Sequence, residues 1–368
     1  MLKKLKHFTQ QMIAGANVAT VFLMLAVGYS DRLNPVVFPR LANIGLAFPV
    51  FLAVTLGFLV FWLIFKPKYS LISLIGMLMA FSPVRNFCPL NVPGTVPDSA
   101  LKVISFNAYN FDKIDNFKQL VFNYLNEQEA DIVCMQEFIF NEDDLQAVAA
   151  HYAYSDTSRT TAGGDVLTIL SRYPIVGKEK VPNDQDLHPE RTADSESKPA
   201  HHSQAFFVAI GTDTVCVVNN HLQSTSLTEK QRSNFKRIVK SNPLADSVET
   251  ESREMLGTLS KSSVARAPQA EALSTYLTQQ SLPVILCGDF NDGPNSYVHH
   301  TISRHLTDCF RESGNGPGIT YHRYGFHVRI DYIMCSNDWE PFQCKIQRKI
   351  DFSDHYPVVC WLKKRPKP

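Results

Sequence analysis

The stretch Leu282-Pro283-Val284-Ile285-Leu286-Cys287-Gly288-Asp289-Phe290-Asn291-Asp292-Gly293-Pro294 decides how this chain is read. Its first half is an apolar run of the kind that forms a buried strand. Its last two residues force a turn. Asp289 and Asn291 therefore stand two apart where a core strand runs out. Residues i and i+2 of a strand point to the same side, so an acid and an amide are aimed at one spot on a sheet rim. Oxygen donors in such a place hold hard cations and phosphates. The same residues also make an Asx turn that merely ends a strand, so the choice falls to what the other strand ends carry.

Those ends repeat the theme. The apolar run at 102–107 closes on Asn107, the run at 131–137 on Glu137, and the run at 215–221 on Asn219 and His221, again two apart. Asp331 lies within Arg329-Ile330-Asp331-Tyr332-Ile333, and Asp354 and His355 precede the apolar run from Val358. Three Asn, one Glu, three Asp and two His at strand ends are more acidic, and richer in His, than turn residues alone.

Strands are expected at 102–106, 132–136, 166–171, 205–210, 215–221, 284–289, 330–335 and 358–362. Helices are expected at 113–129, 143–150, 228–240 and 263–280. Thr228 through Gln231 fits a capping box. Pro268 places the start of the last helix at Ala267. Residues 182–203 read as a polar loop, and 242–262, charged and serine-rich, as a mobile insertion or lid. Strand–helix–strand order on both sides of that insertion predicts two packed sheets flanked by helices.

With the motifs SFNAYN (105–110), MQE (135–137), ILSRYP (169–174), NNHLQS (219–224), GDFND (288–292), RIDYI (329–333) and SDHYPV (353–358) in this order, the chain resembles the endonuclease/exonuclease/phosphatase superfamily. That superfamily includes pancreatic deoxyribonuclease, abasic-site endonucleases, inositol-phosphate 5-phosphatases and neutral sphingomyelinases. The resemblance covers about residues 101–363. It implies an α/β four-layer sandwich of two mostly antiparallel β-sheets flanked by helices, with the site where the sheets open at one edge.

The chemistry asks for the same residue types. Bringing water onto a phosphorus shielded by anionic oxygens needs a hard cation to neutralise charge and polarise the P–O bond. Mg2+ takes oxygen ligands, few of them from protein; Mn2+ is the alternative cation. By resemblance, Glu137 is the main metal ligand with Asn107 beside it, and Asp354 ligates the metal or orients its water. Asp289 orients or deprotonates the attacking water, and Asn291 donates to a phosphoryl oxygen. His355 stabilises the transition state as a charged donor, its ring held by Asp331. His221, with Asn219 next to it, binds phosphate or protonates the leaving group. Arg172 occupies a family position near the site and is a candidate phosphate binder, although a surface role suits it equally. Tyr321, His322 and His327 lie on a segment that faces substrate in the family, although core or surface roles suit them equally. His201 and His202 read as loop residues, and Arg266 and Gln269 as a helix start.

The first 85 residues are of another composition. Residues 12–29 are interrupted only by Asn17 and Thr20, and 41–65 carry no charge. Each is near the roughly 20 residues that cross a bilayer. Residues 69–82 are apolar but shorter. The expected division is a transmembrane segment at 1–85 (spans about 12–29, 41–65 and 69–82), a Pro- and Asn-rich linker at 86–100, and a catalytic domain at 101–368. Lys3, Lys4 and Lys6 before the first span and Lys66 and Lys68 after the second put those ends in the cytoplasm. If 69–82 crosses, the large domain is extracytoplasmic, which is the expectation here.

The chain is nearly neutral at +1. Residues 1–99 hold eight Lys and Arg against Asp31 and Asp98, leaving 28 basic and 33 acidic residues beyond, a net of −5. That part has no basic run of the kind a nonspecific nucleic-acid binder carries. The eight Cys include no CxxC pair. Cys134, Cys216, Cys287 and Cys360 read as core residues, and Cys335 and Cys344 as a pair that an oxidising space could join.

The leading expectation is therefore an integral membrane, Mg2+-dependent hydrolase of phosphate esters, with a lipid-derived or other membrane-proximal substrate favoured and the bilayer as its contact. A nuclease acting on DNA is the alternative; nucleic acid is a possible but disfavoured partner. A noncatalytic membrane scaffold is the third reading. No protein partner is inferable.

Overall fold

The structure is a computed structural model describing residues 2–110, 113–159, 166–187, 202–225, 227–228, 230–233 and 246–366. Twelve strands are described: β1 Leu101–Asn107, β2 Ile132–Gln136, β3 Tyr154–Arg159, β4 Val166–Ser171, β5 Ile175–Lys180, β6 His202–Ile210, β7 Asp213–His221, β8 Val284–Asp289, β9 Thr307–Asp308, β10 Asp331–Cys335, β11 Trp339–Ile346 and β12 Val358–Lys364. They form two six-stranded sheets, ordered β11-β12-β1-β2-β4-β3 and β5-β6-β7-β8-β10-β9. Every pairing is antiparallel except one in each sheet, β1 with β2 and β7 with β8.

Alternation along the strands builds the layers. In β1, Val103 faces the other sheet, where it joins Ile132, Val217, Ile285 and Ile333 in one core. Its neighbours Ile104 and Phe106 face outward. There they meet α5 (Phe117–Gln128) and α6 (Glu142–Val148). The outer face of the second sheet meets two further helices through Leu273, Leu277, Val298 and Ile302. This is the expected four-layer arrangement.

Ahead of the sandwich lie α1 (Leu2–Gly28), α2 (Phe48–Phe65), α3 (Ser70–Met79) and α4 (Phe81–Phe87). Two helical stretches, Lys4–Arg32 and Pro39–Phe65, are long and apolar enough to cross a membrane, and three are if the bent α3–α4 pair is one span. That pair bends by 70°. Pro83 has no N–H to give the carbonyl of Met79, and the Tyr29 hydroxyl donates to that oxygen instead at 2.7 Å. α3 and α4 rise beside α1 in register. Ser73 donates to Asn17 at 3.1 Å, Gly76 lies against Val21, and Pro83 lies against Gly28. A Cβ at Gly76 would come within 2.5 Å of Val21, so this approach needs glycine.

Three short helices and one long one follow: α7 (Asp184–Leu187), α8 (Asp246–Gln279), α9 (Tyr297–Ile302) and α10 (Cys309–Ser313). α8 corrects the expected helix start at Ala267, and with it the insertion expected at 242–262 over residues 246–262; residues 242–245 lie outside the described residues. The helix begins at Asp246 and runs through Pro268. Polar contacts tie its middle to the segment between α1 and α2: Ser263 donates to Asn43 at 3.0 Å, and Ser260 to the carbonyl of Pro39. The capping box is formed, with Gln231 N–H donating to Thr228 Oγ1 at 3.2 Å and Thr228 N–H to Gln231 Oε1 at 3.0 Å. Most of the loop expected at 182–203 and the later part of the 228–240 helix lie outside the described residues, as do His201 and the side chain of His202. All eight cysteines are free, and Cys335 has Cys309 at 3.7 Å rather than Cys344 as its sulfur neighbour.

Candidate active site

The two parallel pairs explain why the polar strand ends meet. Parallel neighbours finish on the same rim, so β1 and β2 bring Asn107 and Glu137 to one edge, while β7 and β8 bring His221 and Asp289 to the same edge of the facing sheet. Antiparallel β10 starts there, with Asp331 opposite Asp289. Residues 353–355, just before β12, complete the set.

Hydrogen bonds fix the cluster. Asn107 Nδ2 donates to Glu137 Oε1 at 2.9 Å and to Asp289 Oδ2 at 3.1 Å, spanning the two sheets. His355 Nδ1 lies 2.8 Å from Asp331 Oδ2, and its Nε2 3.8 Å from Asp289 Oδ2. Thr320 Oγ1 accepts from the N–H groups of Ile330 and Asp331, fixing the start of β10. Ser353 Oγ accepts from His355 N–H at 3.3 Å and donates to Asn107 carbonyl at 3.1 Å. His221 Nε2 stands 3.6 Å from Glu137 and 3.9 Å from Asp289.

Backbone strain marks the same place. Glu137 has φ of 62° and Asn291 of 53°. Asn tolerates this left-handed conformation, whereas for Glu it is uncommon, and such strain gathers at functional sites. Asn291 N–H donates to Asp289 Oδ1 at 2.7 Å, and its side-chain amide to Leu222 carbonyl at 3.1 Å. Before Asp289, Gly288 adopts φ of 152°, and a Cβ there would fall 1.9 Å from the carbonyl oxygen of Asn220. Only glycine lets β7 and β8 close up below the site.

Burial, and then the nearby Asp331 carboxylate, pushes Asp289 up to about 6, against the two imidazoles. Burial alone would lower His355, but the carboxylates of Asp331, Asp289 and Asp354 outweigh it and raise the ring to about 10. Burial also raises Asp354.

The cluster opens into a cleft of about 370 Å³ whose walls include Glu137, Asp289, Asn291, Asp354 and His355. Sequence reasoning missed Tyr109, Thr225 and Arg232, which also line it; Tyr109 stands within the SFNAYN motif. Tyr321, left open above, lines it too, its ring 5.1 Å from that of His355. His322 instead stacks on Tyr356 at 3.8 Å, and His327 bonds locally to Gly325 carbonyl. Arg266 is more than a helix start: buried, it donates to Gln223 carbonyl, Thr225 and Ser263, and lies 3.4 Å from Asp292. Gln269 likewise accepts from Gln223 N–H at 3.0 Å.

Three expected phosphate-facing residues are outside the cleft lining: His221, buried behind Glu137 and Asp289, and Asn219 and Arg172, which are engaged elsewhere. Asn219 is fully buried, its amide donating to the carbonyls of Met135 and Thr168 while its oxygen accepts from Gln136 at 2.7 Å. It ties sheet to sheet beneath the rim. Arg172, with its side chain 54% exposed, reaches Asp131 at 3.4 Å instead.

Whether a cation suits these residues turns on unsatisfied atoms. Donor atoms of Asp289, Asp331 and His355 lie within 4.8 Å of one another. His355, however, is engaged with Asp331, and a charged imidazole has no lone pair to offer. Asn107 Oδ1 and Asp354 Oδ1 are buried with no hydrogen-bond partner. Such oxygens are costly to leave bare, and hard cations are what they accept. With the carboxylate of Glu137 beside Asn107, the residues fit a divalent metal.

Comparisons with known proteins give the family. The family model for the Endonuclease/Exonuclease/phosphatase family matches residues 104–355, and that for a domain of unknown function (DUF8431) matches residues 10–87. The chain belongs to the endonuclease/exonuclease/phosphatase family, and so among hydrolases of phosphate esters. The human Nocturnin catalytic domain with bound sulfate anion is similar over 74% of this chain and 97% of that one, at 15% identity and a TM-score of 0.50. A functionally unknown conserved protein from Enterococcus faecalis V583 covers 72% and 100%, at 16% identity and 0.48. D. rerio TDP2 complexed with single strand DNA product covers 73% and 100%, at 17% identity and 0.48. Identities this low speak to the fold alone. Among curated proteins none matches.

Proposed function

We propose that this protein is a membrane-anchored, Mg2+-dependent hydrolase of phosphate esters, with lipid-derived substrates favoured. The observation that carries the reading is the convergence of Asp289, the Asp331–His355 pair, Glu137 and Asn107 on one cleft. Asp289 accepts a proton from, or orients, the attacking water. His355, its Nδ1 locked by Asp331, presents Nε2 to the developing charge on phosphoryl oxygens. Asn291 lines the cleft as a polar contact for phosphate, and His221, 3.6 Å from Glu137, is the donor to the leaving oxygen. Glu137, Asn107 and Asp354 would hold the metal, with Mn2+ as the alternative. Bound there, it would neutralise phosphate charge and polarise the ester bond.

The helices support an extracytoplasmic placement. Lys6 and Lys66 line one groove where α1 begins and α2 ends. The opposite ends meet the catalytic unit, through Asn34 on Glu271 at 2.9 Å and Arg85 on Glu312 at 2.6 Å. The positive-inside rule puts the lysine end in the cytoplasm, and the catalytic unit across the bilayer. A tether at that surface favours phosphate esters carried by lipids.

The test is a parallel panel with Mg2+: sphingomyelin vesicles, plasmid DNA and a chromogenic phosphodiester. Lipid and chromogenic turnover, both lost in His355→Ala, is expected. Plasmid nicking without lipid turnover would favour the nuclease alternative, and no turnover of any substrate a noncatalytic scaffold.

A further inference from the structure

The catalytic cleft is not built by the sandwich alone. Asn43 and Leu46, in the loop between α1 and α2, are part of its wall. They face the cleft together with Leu259 of α8 and with Phe326, Val328 and Ile330 of the segment leading into β10. The lining thus mixes acidic and polar groups with apolar ones, and Leu46 of the helical segment is among the apolar ones.

This loop is fixed rather than draped. Asn34 donates to Glu271 at 2.9 Å and lies 3.2 Å from the Tyr297 hydroxyl. Gly45 packs so closely that a Cβ would meet the carbonyl oxygen of Asn295 at 2.5 Å. Asn43 accepts from Ser263, which accepts in turn from Arg266 at 3.3 Å. Arg266 reaches Asp292, next to Asn291. The wall and the phosphate-facing groups therefore share one hydrogen-bonded frame.

We propose that Asn43 and Leu46 form a specificity wall that seats the apolar part of a bilayer phospholipid while its phosphate meets Asp289 and His355. The proposal rests on the lipid reading above. Its occupant follows from position. The wall lies in the first residues of Pro39–Phe65, one of two stretches long and apolar enough to cross a membrane, ahead of α2 and against the catalytic unit, so it stands at the bilayer surface. Leu46 is 49% exposed, and Ile44 and Leu41 beside it are also exposed. An apolar rim thus leads from the membrane side towards the cleft.

The experiment uses full-length protein in detergent with Mg2+ and a series of p-nitrophenyl alkyl phosphate diesters, methyl to octyl, below their micelle concentrations. A seated chain gains up to roughly fourfold per fully buried methylene. Wild-type kcat/KM is expected to rise at least about tenfold along the series, and Leu46→Asp to remove most of that slope. Leu256→Asp, on the exposed surface of the same long helix and outside the cleft lining, should keep it. If Leu46→Asp loses the methyl diester as well, Leu46→Ser replaces it and the slope is read there. A rising series whose slope ignores both Leu46 changes overturns the wall and leaves the lipid reading intact. A flat wild-type series with plasmid nicking and no lipid turnover overturns both.

Discussion

Among the described residues, two buried imidazoles lie within 3.0 Å of a carboxylate, nearly equal in geometry and unequal in use. His355 Nδ1 lies 2.8 Å from Asp331, and His299 Nε2 lies 3.0 Å from Asp308. The Asp308 carboxylate is saturated. Its other oxygen caps α10 through the N–H groups of Phe310 and Arg311. The buried Arg329 guanidinium stands 3.8 Å away and donates to the carbonyl of Asn86, at the seam with the helical segment. Asp331, in contrast, has an oxygen without a partner, and His355 opens on the cleft with Asp289 behind it. The same pair is a brace where the carboxylate is fully engaged and closed off from the cleft, and chemical machinery where the imidazole opens on it.

The comparison breaks most visibly at Asp289. Asp289→Asn should lower kcat/KM about a thousandfold, as for loss of a general base. Its folded pKa is raised, so the ionised form costs stability above about pH 6. The same variant, metal-free at pH 7, should therefore melt a few degrees higher than wild type. Loss of activity together with loss of stability would move Asp289 to the bracing class.

Asp308→Ala should do the reverse, costing about 3–5 kcal/mol by stranding Arg329, with kcat/KM of the folded fraction within about threefold of wild type. Burial works against the Asp308 carboxylate, but Arg329 and His299 outweigh it and hold it down at about 2. With the folded value depressed, its stabilisation is complete above about pH 4 and fades as pH falls towards about 2. Acid unfolding followed by circular dichroism should show that limb in wild type and flatten it in Asp308→Asn.

Asn219→Ala falls between the classes. Freeing two buried carbonyls should cost about 2–3 kcal/mol, read as a lower urea midpoint, with only a modest rise in KM. Smallest is Arg172→Ala, expected within about 0.5 kcal/mol in stability and without effect on KM; a large KM effect would return Arg172 to the substrate.

What the sequence revealed follows from burial. The eight strands read from apolar runs are all interior to their sheets. The four that escaped reading, β3, β5, β9 and β11, are the four edges. An edge strand has one neighbour and a wet side, so Tyr154–Arg159 and Ile175–Lys180 carry charge instead of an apolar run. Asp289, His355, Asp331, Glu137 and Asn107 were legible because strand ends have few reasons to be acidic. Asn219 was misjudged because a buried amide that ties two sheets has the same local sequence as one that faces a cleft. The wall residues Asn43 and Leu46 were out of reach, since nothing local says that a loop between two apolar helices folds back over a site some 240 residues downstream in sequence.

The central claim, a divalent cation held by Glu137 and Asn107 beside Asp289, is tested most directly by titrating Mg2+ into EDTA-stripped protein while following hydrolysis of bis-p-nitrophenyl phosphate. Wild type should be inactive without the metal and gain turnover as it is added, with Glu137→Ala needing at least about tenfold more Mg2+ for its half-maximal rate. Turnover without metal, or a Glu137→Ala midpoint equal to that of wild type, would contradict the account.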